Sequence, residues 1–324
     1  MRHPTVSVVI PTRRRAVFLR KALESALLQS YPALEIIVVE NGSSSEGKIV
    51  VAKLKQKEPR IKYLYEATPS ASRARNAGMQ AAKGDYVAFL DDDDEWLPMK
   101  LERQIQIASQ DPQVGIVTCL AWQIREDSPE HQLVPSHRGE ITLKTLLSEG
   151  NCIWSASSVL VRKECIDLVG YFIPQFDPAE DFQWYIRIAK KYRIAQIEDP
   201  LFYYRVHSSN ISVDRIRMLK TTIRLLKSAD PAPEDGVTYA TIRSCISTYV
   251  QQLHDCAEEA MDRKNFRTAL IAYFFCITGS PLIGLRVKWN RFSHPLYRVL
   301  RPYLATLYCA LNVGRGLQSG HHRG

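Results

Sequence analysis

Five carboxylates stand in a row in this 324-residue chain, in Leu90-Asp91-Asp92-Asp93-Asp94-Glu95-Trp96. Adjacent carboxylates repel, so a folded chain that gathers them needs a cation nearby. They follow directly on Tyr86–Leu90 (YVAFL), a short apolar run of strand type. Side chains alternate along a strand, which puts Asp91 and Asp93 on one face. Two carboxylates on one face make a hard oxygen site, suited to Mg²⁺ or Mn²⁺ and poorly suited to zinc. Such an ion keeps several waters and binds through one or two carboxylates plus substrate phosphates. The same residues admit another reading, an acidic helix start in which Asp94 caps a helix over 97–109. The two are compatible, with Asp94 capping while Asp91 and Asp93 bind.

Two further groups carry chemistry. Glu180-Asp181 precedes the helical run FQWYIRIA. Asp181 is either a helix N-cap or a positioned base, and the residues alone do not separate these. Arg13-Arg14-Arg15 follows the first apolar run and is either a site for a diphosphate or anionic lipid headgroup, or a solvated loop.

These groups need a frame. TVSVVI at 5–10, LEIIVV at 34–39, Ile61–Tyr65 and Tyr86–Leu90 are short buried strands by pattern. Helical patterns separate them: Phe18–Leu27, about 45–57, and Ala71–Ala82 stopped by Gly84, with another at Pro98–Ser109. Such alternation specifies parallel strands joined by crossover helices. Ligands gather at the carboxyl ends of the strands in these sheets. Those ends are Pro11-Thr12-Arg13, Glu40-Asn41-Gly42 and Asp91–Asp94. Past residue 113 the pattern loosens. Strands are expected at Val114–Trp122, Ser157–Val161 and Leu201–Arg205, a helix at Phe182–Lys191, and a flexible polar loop at 125–140. Asp230–Gly236 has linker composition, and 237–262 with 265–278 forms a helical hairpin by pattern.

SVVIPTRRR at 7–15, VVENGSS at 38–44, ASRARNAG at 71–78, GDYVAFLDDDDEW at 84–96, AEDFQWYIR at 179–187 and YRVH at 204–207 resemble, in order and rough spacing, the motifs of family 2 glycosyltransferases. The resemblance spans about residues 4–214. It implies a GT-A fold: α/β, Rossmann-like, with a mostly parallel central sheet flanked by helices. It also implies inverting transfer of a sugar from a nucleotide-sugar donor, with UDP favoured, to an acceptor hydroxyl. Asp91-Asp92-Asp93 matches the family's DxD motif. Asp93 is then the holder of Mn²⁺ or Mg²⁺, and Asp91 or Asp92 contacts the ribose or shares the metal. Pro11 and Thr12 match the strand end that lies against the base. Glu40-Asn41 stands where the family usually has two acidic residues; Asn41 both donates and accepts, a departure that bears on base specificity. Arg75 matches an arginine expected near base or phosphate. Asp181 matches the catalytic base, with Glu180 as its backup. A carboxylate there takes the proton of the acceptor hydroxyl, while the metal neutralises the leaving diphosphate. Trp184, on the same helix, is either a platform for an acceptor sugar or a core residue. Arg205 and His207 match a segment near the diphosphate, which makes Arg205 a phosphate clamp and His207 a metal ligand.

Composition supports a globular protein: 45% hydrophobic and 24% charged residues exclude a disordered or collagen-like chain. The net charge of +9 is unevenly placed, since residues 1–214 carry 27 basic and 27 acidic side chains, and residues 215–324 carry 16 and 7. The expected organisation is a GT-A domain over 1–214 and a helical, basic C-terminal extension over 215–324. Apolar stretches at Thr268–Leu285 and Tyr303–Val313 are mixed with Arg286, Lys288, Arg291, Arg298 and Arg301. That mixture suits helices lying on an anionic membrane surface, or alternatively packing on the catalytic domain or forming a dimer. The tail has no nucleic-acid-binding motif. Seven dispersed cysteines without a CxxC pair fit a reducing cytoplasm, and the N-terminal apolar run is too short for a signal peptide. The expected partners are a nucleotide sugar and a saccharide or lipid-linked acceptor, in surface polysaccharide or glycolipid synthesis. A sugar nucleotidyltransferase is disfavoured because PTRRRAVFLRK lacks a glycine-rich phosphate loop. A non-catalytic scaffold is disfavoured by the intact Asp91, Asp93 and Asp181.

Overall fold

A computed structural model describes residues 3–42, 45–125, 128–207 and 214–263, with isolated positions between 265 and 275. The chain divides into two compact units, one made of 1–213 with 232–237, the other of 214–231 with the residues from 238 onward.

The first unit opens with β1 (Val6–Thr12), α1 (Ala16–Leu27), β2 (Glu35–Asn41), α2 (Glu46–Lys55), β3 (Ile61–Glu66), α3 (Ala71–Ala81) and β4 (Tyr86–Phe89). It continues through β5 (Glu95–Trp96), α4 (Lys100–Gln110), β6 (Val114–Arg125), β7 (Ser128–Leu133), α5 (Leu143–Glu149), β8 (Leu160–Arg162), α6 (Lys163–Val169), α7 (Glu180–Ala189) and β9 (Arg193–Val206). The sheet order is β3-β2-β1-β4-β8-β6-β9-β5, with β7 on β6.

Every residue of β1 and β2 is buried, which is why these strands are continuous apolar runs rather than alternating ones. Their pairings, and those of β3 and β4, are parallel. The chain steps outward from β1 to β2 to β3, then returns to the other side of β1 as β4. That reversal opens a crevice at the carboxyl ends of β1 and β4. The loop after Thr12 and the acidic run after Leu90 therefore meet. Gly78 lets α3 lie close against β1, because a Cβ there would come within 2.3 Å of Val9 Cγ1.

The second half of the sheet is mixed. β8 runs antiparallel to β4 and β6, β9 runs parallel to β6, and β5 runs antiparallel to β9. Two expectations change here. Within 125–140, expected as a loop, Ser128–Leu133 forms a strand antiparallel to β6. β9 begins at Arg193 rather than Leu201, and Pro200 is absorbed where the register with β6 shifts between Cys119 and Ala121.

In the second unit, α8 (Arg215–Lys227) starts at Asp214, whose carboxylate accepts the Arg217 N–H at 3.1 Å. α9 (Tyr239–Asp262) buries Ile242, Ile246, Val250, Leu253 and Ala257, a helically spaced stripe. The stretch expected as a linker is a 3-10 turn, Pro233–Asp235, followed by Gly236 at φ 71°. Most of the expected second hairpin helix at 265–278, and the whole basic segment 286–324, lie outside the described residues. Among the described residues, no helix is long and apolar enough to cross a membrane.

Candidate active site

β4 ends at Phe89, so Asp91–Asp94 is a turn, closed by the Asp94 N–H on the Asp91 carbonyl at 3.1 Å. Strand alternation does not apply to it, and Asp91 and Asp93 diverge instead of sharing a face. Asp91 Oδ1 accepts Arg75 Nη2 at 2.7 Å. Asp93 Oδ2 accepts Arg15 Nη1 at 2.5 Å and lies 3.0 Å from His207 Nε2. Between them, Asp92 accepts Thr12 Oγ1 at 2.7 Å, the Arg13 N–H at 3.3 Å and Arg15 Nη1 at 3.1 Å. Burial, reinforced by Asp93, pushes Asp92 up to about 7, while Arg15 and Thr12 pull it down.

Asp94 does not cap α4; the residue in that position is Met99, which supplies no side-chain cap. Asp94 is buried and accepts Ser157 Oγ at 2.6 Å, Ser155 Oγ at 3.3 Å and the Arg205 N–H at 3.1 Å. Burial, then Asp93 and Asp91, raise its pKa well above the carboxylate range. Asp94 shapes the turn from within.

The second carboxylate group is on α7. Its N-cap position is Ala179, so Glu180 and Asp181 sit in the first turn, where the helix dipole favours negative charge. Arg75 joins the two groups: Nη1 donates to Glu180 at 2.9 Å and Nη2 to Asp91. Its Nε is buried and without a hydrogen-bond partner among the described residues. Burial raises Asp181 to about 6, against the pull of Arg75 and of the Phe182 N–H, with Asp91 adding to the rise. Glu180 is pushed up by burial and by Asp181, with Arg75 opposing.

α7 is held in place through Asn76, the neighbour of Arg75 in the ASRARNAG segment, whose role the sequence does not signal. Asn76 Nδ2 donates to the Phe172 carbonyl at 2.9 Å and its Oδ1 accepts the Phe172 N–H at 3.0 Å. Phe172 packs on Trp184 at 4.6 Å between centroids, and Phe89 meets Trp184 edge-on at 6.0 Å. Trp184 is 0% exposed and donates Nε1 to the Gly170 carbonyl at 2.8 Å. Of its two readings the core residue is the one observed, and the acceptor-platform one is corrected: no sugar reaches its faces.

Three other candidates are also redirected. Glu40 is fully buried, accepting the Gly47 and Lys48 N–H groups at 3.1 and 3.2 Å and Tyr63 Oη at 2.7 Å. It anchors the N-terminus of α2 and does not present a carboxylate to a nucleotide. Arg205 is buried, with its guanidinium bonded to Glu95 and to the Asp93 carbonyl at 3.2 Å. Its fork is used inside the protein rather than as a phosphate clamp. Asp91, bound by Arg75, is not gathered with Asp93 as a metal ligand. Pro11 is buried in β1 opposite Val39, Thr12 is committed to Asp92, and Asn41 ends β2, mostly buried. His207 stacks on Phe18 at 5.1 Å, which orients its ring toward Asp93.

Among the described residues, no group of three or more His, Cys, Asp or Glu side chains gathers as a metal cage. Asp93 Oδ2 and His207 Nε2 nevertheless converge, an oxygen from the turn and an imidazole nitrogen from just beyond β9. That donor pair fits an ion such as Mn²⁺ or Mg²⁺, which takes few protein ligands and completes its shell with phosphates and water.

The family model described as glycosyl transferase family 2 matches residues 7–166. An uncharacterized glycosyltransferase of Nostoc sp. is 30% identical over 220 residues, 63% of this chain and 66% of that protein. A GalNAc(5)-diNAcBac-PP-undecaprenol beta-1,3-glucosyltransferase of Campylobacter jejuni is 40% identical over 111 residues, 33% of this chain and 35% of that protein. The chain thus spans just under two thirds of the first relative's length and about a third of the second's. Among solved structures, the mannosyltransferase PcManGT from Pyrobaculum calidifontis, in complex with GDP-Man and Mn2+, matches with a TM-score of 0.60 at 18% identity, covering 99% of this chain and 89% of that one. At that identity the likeness is one of fold, and the fold is GT-A.

Proposed function

Because the chain belongs to the family 2 glycosyltransferases, we propose that it moves a sugar from a nucleoside-diphosphate sugar to an acceptor hydroxyl with inversion. The observation that carries this reading is the Arg75 bridge, which ties the carboxylate pair of α7 to the acidic turn at the β1–β4 crevice. Asp181 is the base. At about 6, it is ionised at neutral pH yet basic enough to take a proton from a hydroxyl as that oxygen attacks. The bond from the anomeric carbon to the diphosphate oxygen breaks as the new glycosidic bond forms, and Asp181 keeps the proton. Arg75 holds Glu180 and Asp91 so that Asp181 keeps its place. Asp93 and His207 would hold a divalent ion, which would supply positive charge for the leaving diphosphate. Thr12 and Arg13 hold Asp92 in the turn.

The donor base is uracil in this reading. The acceptor is a saccharide or a lipid-linked glycan, a choice favoured by the name of the Campylobacter relative, which describes an undecaprenol-linked substrate for that protein. We assign 1–214 to catalysis and 215–324 to a basic helical region at the cytoplasmic face of a membrane.

The test is to incubate the full chain with Mn²⁺ and UDP-Glc, UDP-GlcNAc, UDP-Gal or GDP-Man, and to follow the nucleotide released. The account expects a nucleoside diphosphate, and release slowed about 10²- to 10⁴-fold in Asp181→Asn. Nucleotide-induced thermal stabilisation should persist in that variant. Release of pyrophosphate, or full turnover by Asp181→Asn, contradicts the reading.

A further inference from the structure

The loop from β1 to α1 wraps the acidic turn more closely than a solvated arginine run would. Thr12 Oγ1 and the Arg13 N–H both reach Asp92 Oδ2, at 2.7 and 3.3 Å. Arg14 then takes a left-handed backbone, φ 55°, uncommon for a residue with a side chain. Arg15 follows in the N-cap position of α1, but its side chain does not cap the helix. It turns to the carboxylates, where Nη1 bridges Asp92 Oδ1 at 3.1 Å and Asp93 Oδ2 at 2.5 Å.

That second contact falls on the oxygen that also faces His207 Nε2. A guanidinium at 2.5 Å stands in the approach a divalent ion must take to Asp93, and two positive groups cannot share one carboxylate oxygen without strong repulsion. Arg15 is also placed to leave. Its side chain is 22% exposed on a loop, whereas that of Arg75, which also pairs with two acids, is 9% exposed and on a helix.

We propose that Arg15 is a resident counter-cation of the acidic turn, which competes with a divalent ion for Asp93 and is displaced when the ion binds. The inference rests on the transferase reading in that it takes Asp93 as the ion's ligand. Its consequence is that the ion alone binds weakly, because it must first break the Arg15–Asp93 pair.

The experiment is a Mn²⁺ titration of the full chain without nucleotide, following the free aquo-ion by electron paramagnetic resonance. Arg15→Met should bind Mn²⁺ on the order of tenfold more tightly than the native chain, the scale of one lost charge-assisted bond. Arg15→Lys should fall between them, since a compact, more strongly hydrated ammonium on a shorter stem still competes but less well. It also keeps the proposal testable should Arg15→Met fold poorly. Arg20→Met, an exposed change elsewhere on α1, should leave affinity unchanged. Adding Asp93→Asn to Arg15→Met should remove the gain. Arg15 variants that bind Mn²⁺ no more tightly than the native chain, while Asp93→Asn still weakens binding, overturn the competition and leave the transferase reading standing. Mn²⁺ uptake insensitive to Asp93→Asn overturns the competition together with the assignment of Asp93 to the ion.

Discussion

The acidic turn is held at its two ends by arginines of opposite character. At the Asp91 end, Arg75 comes from a helix, is buried, and links two carboxylates that stand 89 positions apart in sequence, Asp91 and Glu180. At the Asp93 end, Arg15 comes from a loop and is partly open to solvent. Equal formal charges therefore do different work. A buried guanidinium on a helix fixes geometry and sets the basicity of its neighbours. A partly exposed one on a loop is proposed to neutralise charge until an ion displaces it. Proton transfer is proposed at the Arg75 end, and the ion and diphosphate are proposed to enter at the Arg15 end.

The most severe way to break this contrast is to remove each arginine in turn. Arg75→Met strands Glu180 and Asp91 without their cation. Its expected cost is about 3–5 kcal/mol in urea unfolding. Arg15→Met should cost less than Arg75→Met, because Arg15 is the more exposed of the two arginines, although the Asp92 and Asp93 side chains it pairs with are buried. Equal losses would erase the distinction between the two ends.

The pH profile sharpens the same contrast. Asp181 works as a base only when ionised, so kcat/KM should fall as pH drops through about 6. Arg75 lowers the pKa of Asp181. An Arg75→Lys variant, whose point charge reaches the site less well, should move this acid limb to higher pH, whereas Arg15→Lys should leave it in place. An acid limb that moves with Arg15 and not with Arg75 would reverse the roles.

The smallest effect is expected outside both ends. Glu40→Gln weakens the anchor of α2 and should cost about 1–2 kcal/mol, with nucleotide affinity unchanged. A large loss of nucleotide binding, with stability intact, would return Glu40 to the donor site.

Much of the frame was legible in the residues. The buried parallel strands announced themselves as β-branched runs, and their carboxyl ends located the crevice. The acidic run was legible as a site for positive charge. Its partners were not, because Arg15 and Arg75 reach it only through the strand order β2-β1-β4 and the packing of α3 on β1. Arg15 carried a signal, as the last arginine of a run at a strand end, but the run does not say which member turns inward. Ser155 and Ser157, which grip Asp94, lie in a segment of ordinary composition and carried none. Glu40 and Trp184 could not be placed from sequence for a shared reason, and of the two readings of Trp184 the core one holds. A polar or aromatic residue at a strand end or helix start looks the same in sequence whether it faces a ligand or satisfies the interior. Burial decides, and burial is a property of the whole fold.

The most direct measurement is thermal stability with UDP, GDP, dTDP or CDP, each with and without Mn²⁺, for the native chain and Asp93→Ala. A ligand that binds the folded state stabilises it by mass action, by about 2.7 kcal/mol at a hundredfold excess over Kd. The account predicts that one diphosphate raises Tm with Mn²⁺ present, and that Asp93→Ala loses the rise. Equal stabilisation of Asp93→Ala, or none by any diphosphate with Mn²⁺, would contradict it.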